Sequence, residues 1–176
     1  MEKTVKIAEG TEVAVKGLKV NVKGERGELE KDFSSPIFSK LITIEKVDDK
    51  VVVKSKSDKR KVKAEVGCIA AHIRNMIKGV KDGWKYKLKI VYVHFPMTVK
   101  VSGDEVHITN FLGEKFPRKA RILEGTKVEI KGDEITVTGT DIEKAGQTAT
   151  NIEQATKVPA RDRRVFQDGC FLVGRS

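Results

Sequence analysis

The sequence has 176 residues, of which 39% are hydrophobic and 34% are charged, and its formal net charge is +10. This length suits one ordinary domain or two small ones, and the positive charge favours nucleic acid, an acidic membrane face or an acidic protein as the partner. No apolar run is long enough to cross a membrane and no signal peptide precedes the first strand, so we expect a cytosolic protein.

The first half of the chain has the pattern of short strands followed by one helix. Alternating apolar and polar residues predict half-buried antiparallel strands at 43–47 and 50–55. Residues 24–27 have the composition of a hairpin turn. From Val62 to Val80 the apolar residues fall on one face of a helix, and a long alternating strand follows at 86–93.

The second half repeats this order. A strand is predicted at 97–101 and another at 134–139. Asp141 is the natural N-cap of the next helix, and Pro159 prevents that helix from continuing. Residues 170–173 have the pattern of a final strand.

The two halves resemble each other most clearly where a strand leads into a helix. The strand at 50–55 and its helix match the strand at 134–139 and its helix. One helix on one face of a small sheet is a stable two-layer unit. The sequence therefore predicts an α+β protein of two similar tandem domains, 1–95 and 96–176, each a small antiparallel or mixed β-sheet packed against one main α-helix.

A first group of cations lies between Lys54 and Lys63, opposed only by Asp58. If the helix begins near Asp58, these cations lie at its positive end, which is unfavourable unless an anion such as phosphate is close. If the helix begins later, the segment is a solvated loop. The sequence leaves both readings open.

A second group lies between Asn110 and Arg121 and mixes cations with aromatic residues. Its cations are Lys115, Arg118, Lys119 and Arg121, and its aromatic residues are Phe111 and Phe116. Cations can neutralise phosphates while aromatic rings stack on unpaired bases. The alternative is that both phenylalanines anchor the loop to the core.

A third group lies in residues 157–175. Its cations are Lys157, Arg161, Arg163, Arg164 and Arg175, set against Asp162 and Asp168. Arginine forks match phosphate bidentately. Phe166 and the turn at Asp168 and Gly169 would fold this segment back into a rigid basic edge; the alternative is a basic tail with no specific partner.

The side chains needed for enzymatic chemistry are not gathered in any recognisable pattern. His72, His94 and His107 are isolated, and none stands at metal-ligand spacing from another histidine or a cysteine. No phosphate-binding glycine loop or nucleophile elbow occurs. Cys68 and Cys170 are far apart, as expected of thiols in a reducing compartment. We therefore expect no catalytic site, metal, cofactor or small-molecule substrate.

Several stretches resemble the universal large-subunit ribosomal protein family number six, in its archaeal form. The most specific is 154–157 followed by 161–169, which reads Arg-Asp-Arg-Arg-Val-Phe-Gln-Asp-Gly. Residues 94–96 and 110–115 and the helical stretch 71–80 are also similar to the family. Cys170-Phe171 stands where an aliphatic residue and tyrosine are more usual, which is a mild departure.

The resemblance implies a tandem α+β duplication that binds ribosomal RNA near the base of the sarcin–ricin region, close to where elongation factors bind. It implies a structural protein of the large subunit, located in cytoplasmic ribosomes and beside other large-subunit proteins. Carried onto this chain, the first-choice RNA contacts are Lys157, Arg161, Arg163, Arg164, Phe166, Asp168 and Gly169. The second choice is the loop with Lys115, Arg118, Lys119 and Arg121, and a third group on the first helix is Arg74, Asn75 and Lys78.

Two rival functions make different demands on the sequence. A protein–protein adaptor would use exposed sheet faces and would not need a basic tail. An enzyme acting on RNA would need a carboxylate or histidine cluster, and the sequence displays none. The basic clusters therefore favour RNA binding by phosphate and shape.

Overall fold

A computed structural model of the chain describes residues 1–36, 39–162 and 164–176. The backbone forms two compact units, Met1–Gly83 and Trp84–Ser176, here called the first and the second unit. Each consists of antiparallel sheets and one long helix, which confirms the predicted α+β class.

Among its described residues, 1–36 and 39–83, the first unit contains six strands and one helix. The strands are β1 (Glu2–Lys6), β2 (Glu12–Lys16), β3 (Lys19–Gly24), β4 (Gly27–Asp32), β5 (Ile42–Val47) and β6 (Lys50–Ser55), and the helix is α1 (Arg60–Lys81). They form two sheets, ordered β1-β6-β5 and β2-β3-β4. The helix packs its apolar face, which includes Val66, Ile69 and Ile73, against β1, β3 and β6.

The described part of the second unit, which leaves out residue 163, contains seven strands and one long helix. The strands are β7 (Trp84–Val91), β8 (Thr98–Ser102), β9 (Glu105–Thr109), β10 (Arg118–Arg121), β11 (Thr126–Lys131), β12 (Glu134–Gly139) and β13 (Gly169–Arg175), and the helix is α2 (Ile142–Ala155). The sheets are ordered β11-β12-β7-β13 and β10-β9-β8. As predicted, Asp141 caps α2, because its carboxylate accepts the Glu143 N–H at 2.8 Å.

The strand orders show how the two units repeat each other. The order β1-β6-β5 corresponds to β7-β12-β11, and β2-β3-β4 corresponds to β8-β9-β10. The second repeat therefore opens with β7, and the units divide at Gly83, whereas the sequence analysis placed the boundary after residue 95. The difference arises because β7 pairs with β12 and β13, both distant in sequence.

Strand β13 is an addition to the repeat and positions the C-terminal segment. It pairs with the edge of β7 that faces away from β12, with Cys170 opposite Ile90. Within the described part of the first unit, no strand takes the corresponding place beside β1. The segment between α2 and β13 must therefore return across the end of the helix, and this brings the third basic group back to the fold.

Candidate nucleic-acid interface

The loop between β9 and β10 is held in a tight, fixed turn. Phe111 is buried, at 1% exposure, and the Arg118 guanidinium carbon lies 4.3 Å from the centre of its ring. Asn110, with φ of 59°, donates from its side-chain amide to the Pro96 carbonyl oxygen at 2.9 Å. Phe116, in contrast, is 85% exposed. Of the two phenylalanines, Phe111 is therefore the anchor, and Phe116 remains available on the surface.

Arg118 joins this loop to the end of α2. Its Nε and Nη2 donate to the two carboxylate oxygens of Glu114 at 2.8 and 2.5 Å. Its Nη1 donates to the backbone oxygens of Ala155 and Lys157 at 2.9 and 3.0 Å. The hydrogen bond from Arg118 holds the pKa of Glu114 below its ordinary value. All three guanidinium nitrogens are engaged, so Arg118 fixes the site and is not a free cation.

The third basic group is packed onto the same region through an aromatic stack. The Arg161 guanidinium carbon lies 4.7 Å from the centre of the Phe166 ring. Phe166 in turn stacks on His94, with ring centres 4.8 Å apart and planes inclined by 24°. The charge of Arg161 also contributes to lowering the pKa of Glu114. The second and third predicted groups thus meet in one place.

A buried carboxylate secures the segment that carries this stack. Asp168 is 3% exposed and accepts the backbone N–H groups of Val93 and His94 at 2.6 and 3.3 Å. Its other oxygen lies 3.2 Å from His94 Nδ1, which therefore acts as the donor. Burial acts to raise the pKa of Asp168, but these hydrogen bonds outweigh it and hold the pKa below its ordinary value.

The next two residues fit closely against the end of α2. A β-carbon on Gly169 would lie 3.3 Å from the backbone oxygen of Thr156, so only glycine fits this approach without displacing the backbone. The buried Thr156 hydroxyl accepts the Cys170 N–H at 2.9 Å. Burial raises the pKa of the Cys170 thiol to about 11. Asp168 and Gly169 therefore position the segment, and neither is itself exposed.

The exposed cations on this scaffold are the groups able to meet a phosphate. They are Lys115, Lys119, Arg121, Lys157, Arg161 and Arg164. Arg164 pairs with Asp162 at 2.9 Å, which raises its pKa, and Lys119 pairs with Glu105 at 3.1 Å. Both are exposed pairs, which contribute little to stability and can exchange for a phosphate. Arg163 lies outside the described residues.

The chain is similar to known proteins over nearly its whole length. The family model described as ribosomal protein L6 matches residues 7–83 and 95–169. The chain is 52% identical to the large ribosomal subunit protein uL6 of Ignicoccus hospitalis, over 97% of this chain and 92% of that protein. It is 52% identical to the uL6 protein of Aeropyrum pernix, over 97% and 92% of the two chains. For Methanobrevibacter smithii uL6 the identity is 48%, over 97% and 94%.

The chain belongs to the ribosomal protein L6 family. This confirms the resemblance found on the C-terminal motif, and the two matched segments agree with the tandem repeat. As a member of the L6 family, the chain is a ribosomal protein that serves translation in cytoplasmic ribosomes and is not an enzyme. Among its described residues, no helix is long and apolar enough to cross a membrane.

The first unit of this L6-family chain carries the remaining predicted residues. Arg74 and Lys78 are exposed on α1, and Asn75 is half-buried. The helix begins at Arg60 after an N-cap, Lys59, that makes no side-chain capping bond. The cations at 60–63 therefore occupy the first turn of the helix. Of the two alternatives left open by the sequence, the structure shows cations at the positive end of the helix and not a solvated loop there.

Sequence reasoning missed the roles of three residues in the candidate interface. His94 was judged an isolated histidine, yet it contacts both Phe166 and Asp168. Glu114 and Thr156 belong to the family stretches 110–115 and 154–157 but were given no role, although they hold Arg118 and the Cys170 backbone in place. The sequence feature that could have pointed to His94 was its place in the family stretch 94–96. The pairing itself spans 74 residues and has no local signature.

Proposed function

We propose that this chain is a structural component of the large ribosomal subunit that binds ribosomal RNA through the second unit. The contact surface, called here the C-terminal surface, consists of Lys115, Phe116, Lys157, Arg161 and Arg164. Its site on the RNA is near the base of the sarcin–ricin region and the elongation-factor binding region, beside other large-subunit proteins. Relatives named large ribosomal subunit protein uL6 support the assignment to the large subunit.

The observation that carries the proposal is the continuous set of contacts beneath these cations. Arg118 ties the loop to α2, and the stack of Arg161, Phe166 and His94 continues to Asp168. Cations held on a fixed scaffold lose less conformational freedom when they meet a phosphate than cations on a free tail. This surface is therefore suited to one rigid RNA shape.

Recognition on this surface relies on phosphates and shape, with little reading of base sequence. Folded RNA is commonly bound through phosphate and 2′-hydroxyl contacts. Affinity should then fall with salt, with a logarithmic slope of about −0.7 to −0.9 for each phosphate neutralised. An affinity insensitive to salt would contradict this mechanism.

The proposal is tested by sedimenting a gentle cell lysate on a sucrose gradient and detecting the chain in each fraction. It predicts near-stoichiometric presence in the large-subunit peak, lost after nuclease or high salt. Ultraviolet cross-linking of the same subunits should then join the second unit to RNA near the sarcin–ricin region. A chain found only at the top of the gradient overturns the proposal, and cross-links confined to another rRNA domain overturn the location.

A further inference from the structure

A cleft of about 640 Å³ opens between the end of α2 and the segment that leads to β13. Its apolar lining is formed by Val91, Val158, Phe166 and Phe171. Its polar lining is formed by Glu153, Gln154, Thr156, Lys157, Arg164, Gln167 and Asp168, of which Thr156 and Asp168 already hold the backbone of the fold. Binding sites for small ligands are commonly about 300–1,000 Å³ and combine an apolar wall with a few placed polar groups. The cleft has both features.

The polar groups of the cleft are of two kinds. Lys157 and Arg164 are exposed cations, which attract a phosphate. Glu153, Gln154 and Gln167 offer a carboxylate and two amides, which are the groups that pair with base edges. An apolar protein side chain would match the wall of the cleft but would offer nothing to its cations and amides. A nucleotide matches all three features, since it has an apolar ring face, a hydrogen-bonding edge and a phosphate.

We propose that this cleft receives one unstacked nucleotide of the ribosomal RNA. Its base lies along the apolar wall and its phosphate meets Lys157 and Arg164. The C-terminal surface then contacts the RNA mainly through phosphates and binds one base in the cleft, as proteins do where single-stranded nucleotides are splayed out. This inference rests on the proposed function.

The carboxylate of Glu153 adds a preference among bases. A carboxylate accepts hydrogen bonds from the amino group of cytosine and from other amino-bearing edges. Uracil carries no amino group, and its single N3–H donor lies between two carbonyl oxygens that the carboxylate repels. The cleft should therefore prefer adenine, cytosine or guanine over uracil. Glu153 also accepts the Leu172 N–H, but at 3.5 Å this is a long contact that leaves capacity for a ligand.

Gln154 offers a way to close the cleft without changing its charge. The side chain is exposed in the last turn of α2 and lines the cleft. Gln147, also exposed, lies on the same helix about 10 Å earlier on nearly the same face and is not a lining residue of this cleft. The steric pair is Q154W with Q147W as its matched control. The charge pair is Q154E with Q147E. Glutamate keeps the shape of the glutamine side chain, and its negative charge in Q154E should repel a phosphate in the cleft, so this pair tests the proposal even if Q154W does not fold.

The experiment measures binding of the full chain and each variant to large-subunit ribosomal RNA, followed by chemical probing of the bound RNA. Dimethyl sulfate reports whether the base edge is accessible, and a 2′-hydroxyl acylating reagent marks nucleotides that are not held in a stacked helix. We expect one nucleotide to be reactive at its 2′-hydroxyl and protected at its base in the wild-type complex. Q154W and Q154E should each lose that protection and weaken binding by roughly tenfold, while the Gln147 variants keep both.

The possible results separate this inference from the function on which it rests. Wild-type chain that fails to bind the RNA overturns both. If the wild type protects no unstacked nucleotide and the Gln154 variants bind RNA as well as the wild type, the nucleotide-binding role of the cleft is wrong. RNA binding by the C-terminal surface is not contradicted by that result. A captured nucleotide that can be changed to uracil without loss overturns the role given to Glu153.

Discussion

His94 and Asp168, which lie 74 residues apart in the chain, hold the C-terminal segment against the end of β7. The imidazole Nδ1 donates to one carboxylate oxygen at 3.2 Å, and the His94 backbone N–H and the Val93 N–H both reach the other oxygen. The same imidazole stacks on Phe166. One histidine therefore couples the buried anchor of the segment to the aromatic ring beneath Arg161.

Removing the charge of Asp168 should lower stability in a pH-dependent way. The substitution D168N should reduce the free energy of unfolding by about 1.5–3 kcal/mol near neutral pH, because it weakens hydrogen bonds to a buried ionised group. The folded-state pKa of Asp168 is lowered, so its stabilisation is fully present above the unfolded value of about 3.9 and is lost as pH falls through the folded value. Urea unfolding of both proteins from pH 7 to pH 2 measures this difference, which should shrink below about pH 4. A difference that stays constant would show that Asp168 does not act through its charge.

The two cysteines should report docking of the C-terminal segment. Cys68 is exposed and Cys170 is buried, and burial raises the pKa of the Cys170 thiol to about 11. Since the thiolate is the reactive form, a thiol reagent at pH 8 should label Cys68 quickly and Cys170 slowly. The substitution H94A should speed labelling of Cys170 and leave the rate at Cys68 unchanged. Equal acceleration at both sites would indicate general unfolding instead of release of the segment.

Arg118 and Lys119 are neighbours, but only the substitution of Arg118 should destabilise the fold. R118A removes the link between the loop and α2, and should cost about 1.5–3 kcal/mol of unfolding free energy because its bonds to Glu114 are charge-assisted. K119A removes only an exposed pair with Glu105 and should leave stability nearly unchanged. Thermal unfolding of the two variants gives the comparison, and equal melting temperatures would contradict the structural role of Arg118.

The two phenylalanines of the loop should separate folding from binding. Phe111 is buried, so F111A should destabilise the chain by about 3–5 kcal/mol. Phe116 is exposed, so F116A should leave the melting temperature unchanged and weaken RNA binding by about 1–3 kcal/mol if the ring stacks on a base. Unchanged RNA affinity in F116A would remove this residue from the C-terminal surface.

Local signals in the sequence predicted both long helices and several of the strands. Alternation and turn residues predicted β6, β12 and β13, and Asp141 predicted the start of α2. Such features depend on residues close together in the chain. The assignment of β7 to the second unit depends on partners far along the chain, and no local pattern could supply it.

The candidate site was predicted by residue type but not by role. The sequence grouped Arg118 with Lys119 as cations, yet the structure gives Arg118 four acceptors within the protein. Asp168 belongs to the motif that revealed the family, and it is a buried anchor. A single sequence shows which groups can carry charge, whereas their availability depends on the tertiary contacts that surround them.

The central claim is that the second unit binds ribosomal RNA through the C-terminal surface. Its most direct test compares two charge-matched double variants in filter binding to large-subunit ribosomal RNA over a range of salt concentrations. K157A/R164A removes two cations from the C-terminal surface, and K3A/K6A removes two exposed lysines from β1. We expect K157A/R164A to bind much more weakly, with a salt slope shallower by about 1.4–1.8 for the two lost phosphate contacts, while K3A/K6A binds nearly as well as the wild type. Equal losses in the two variants would mean that RNA is attracted by net charge alone, and would contradict the claim.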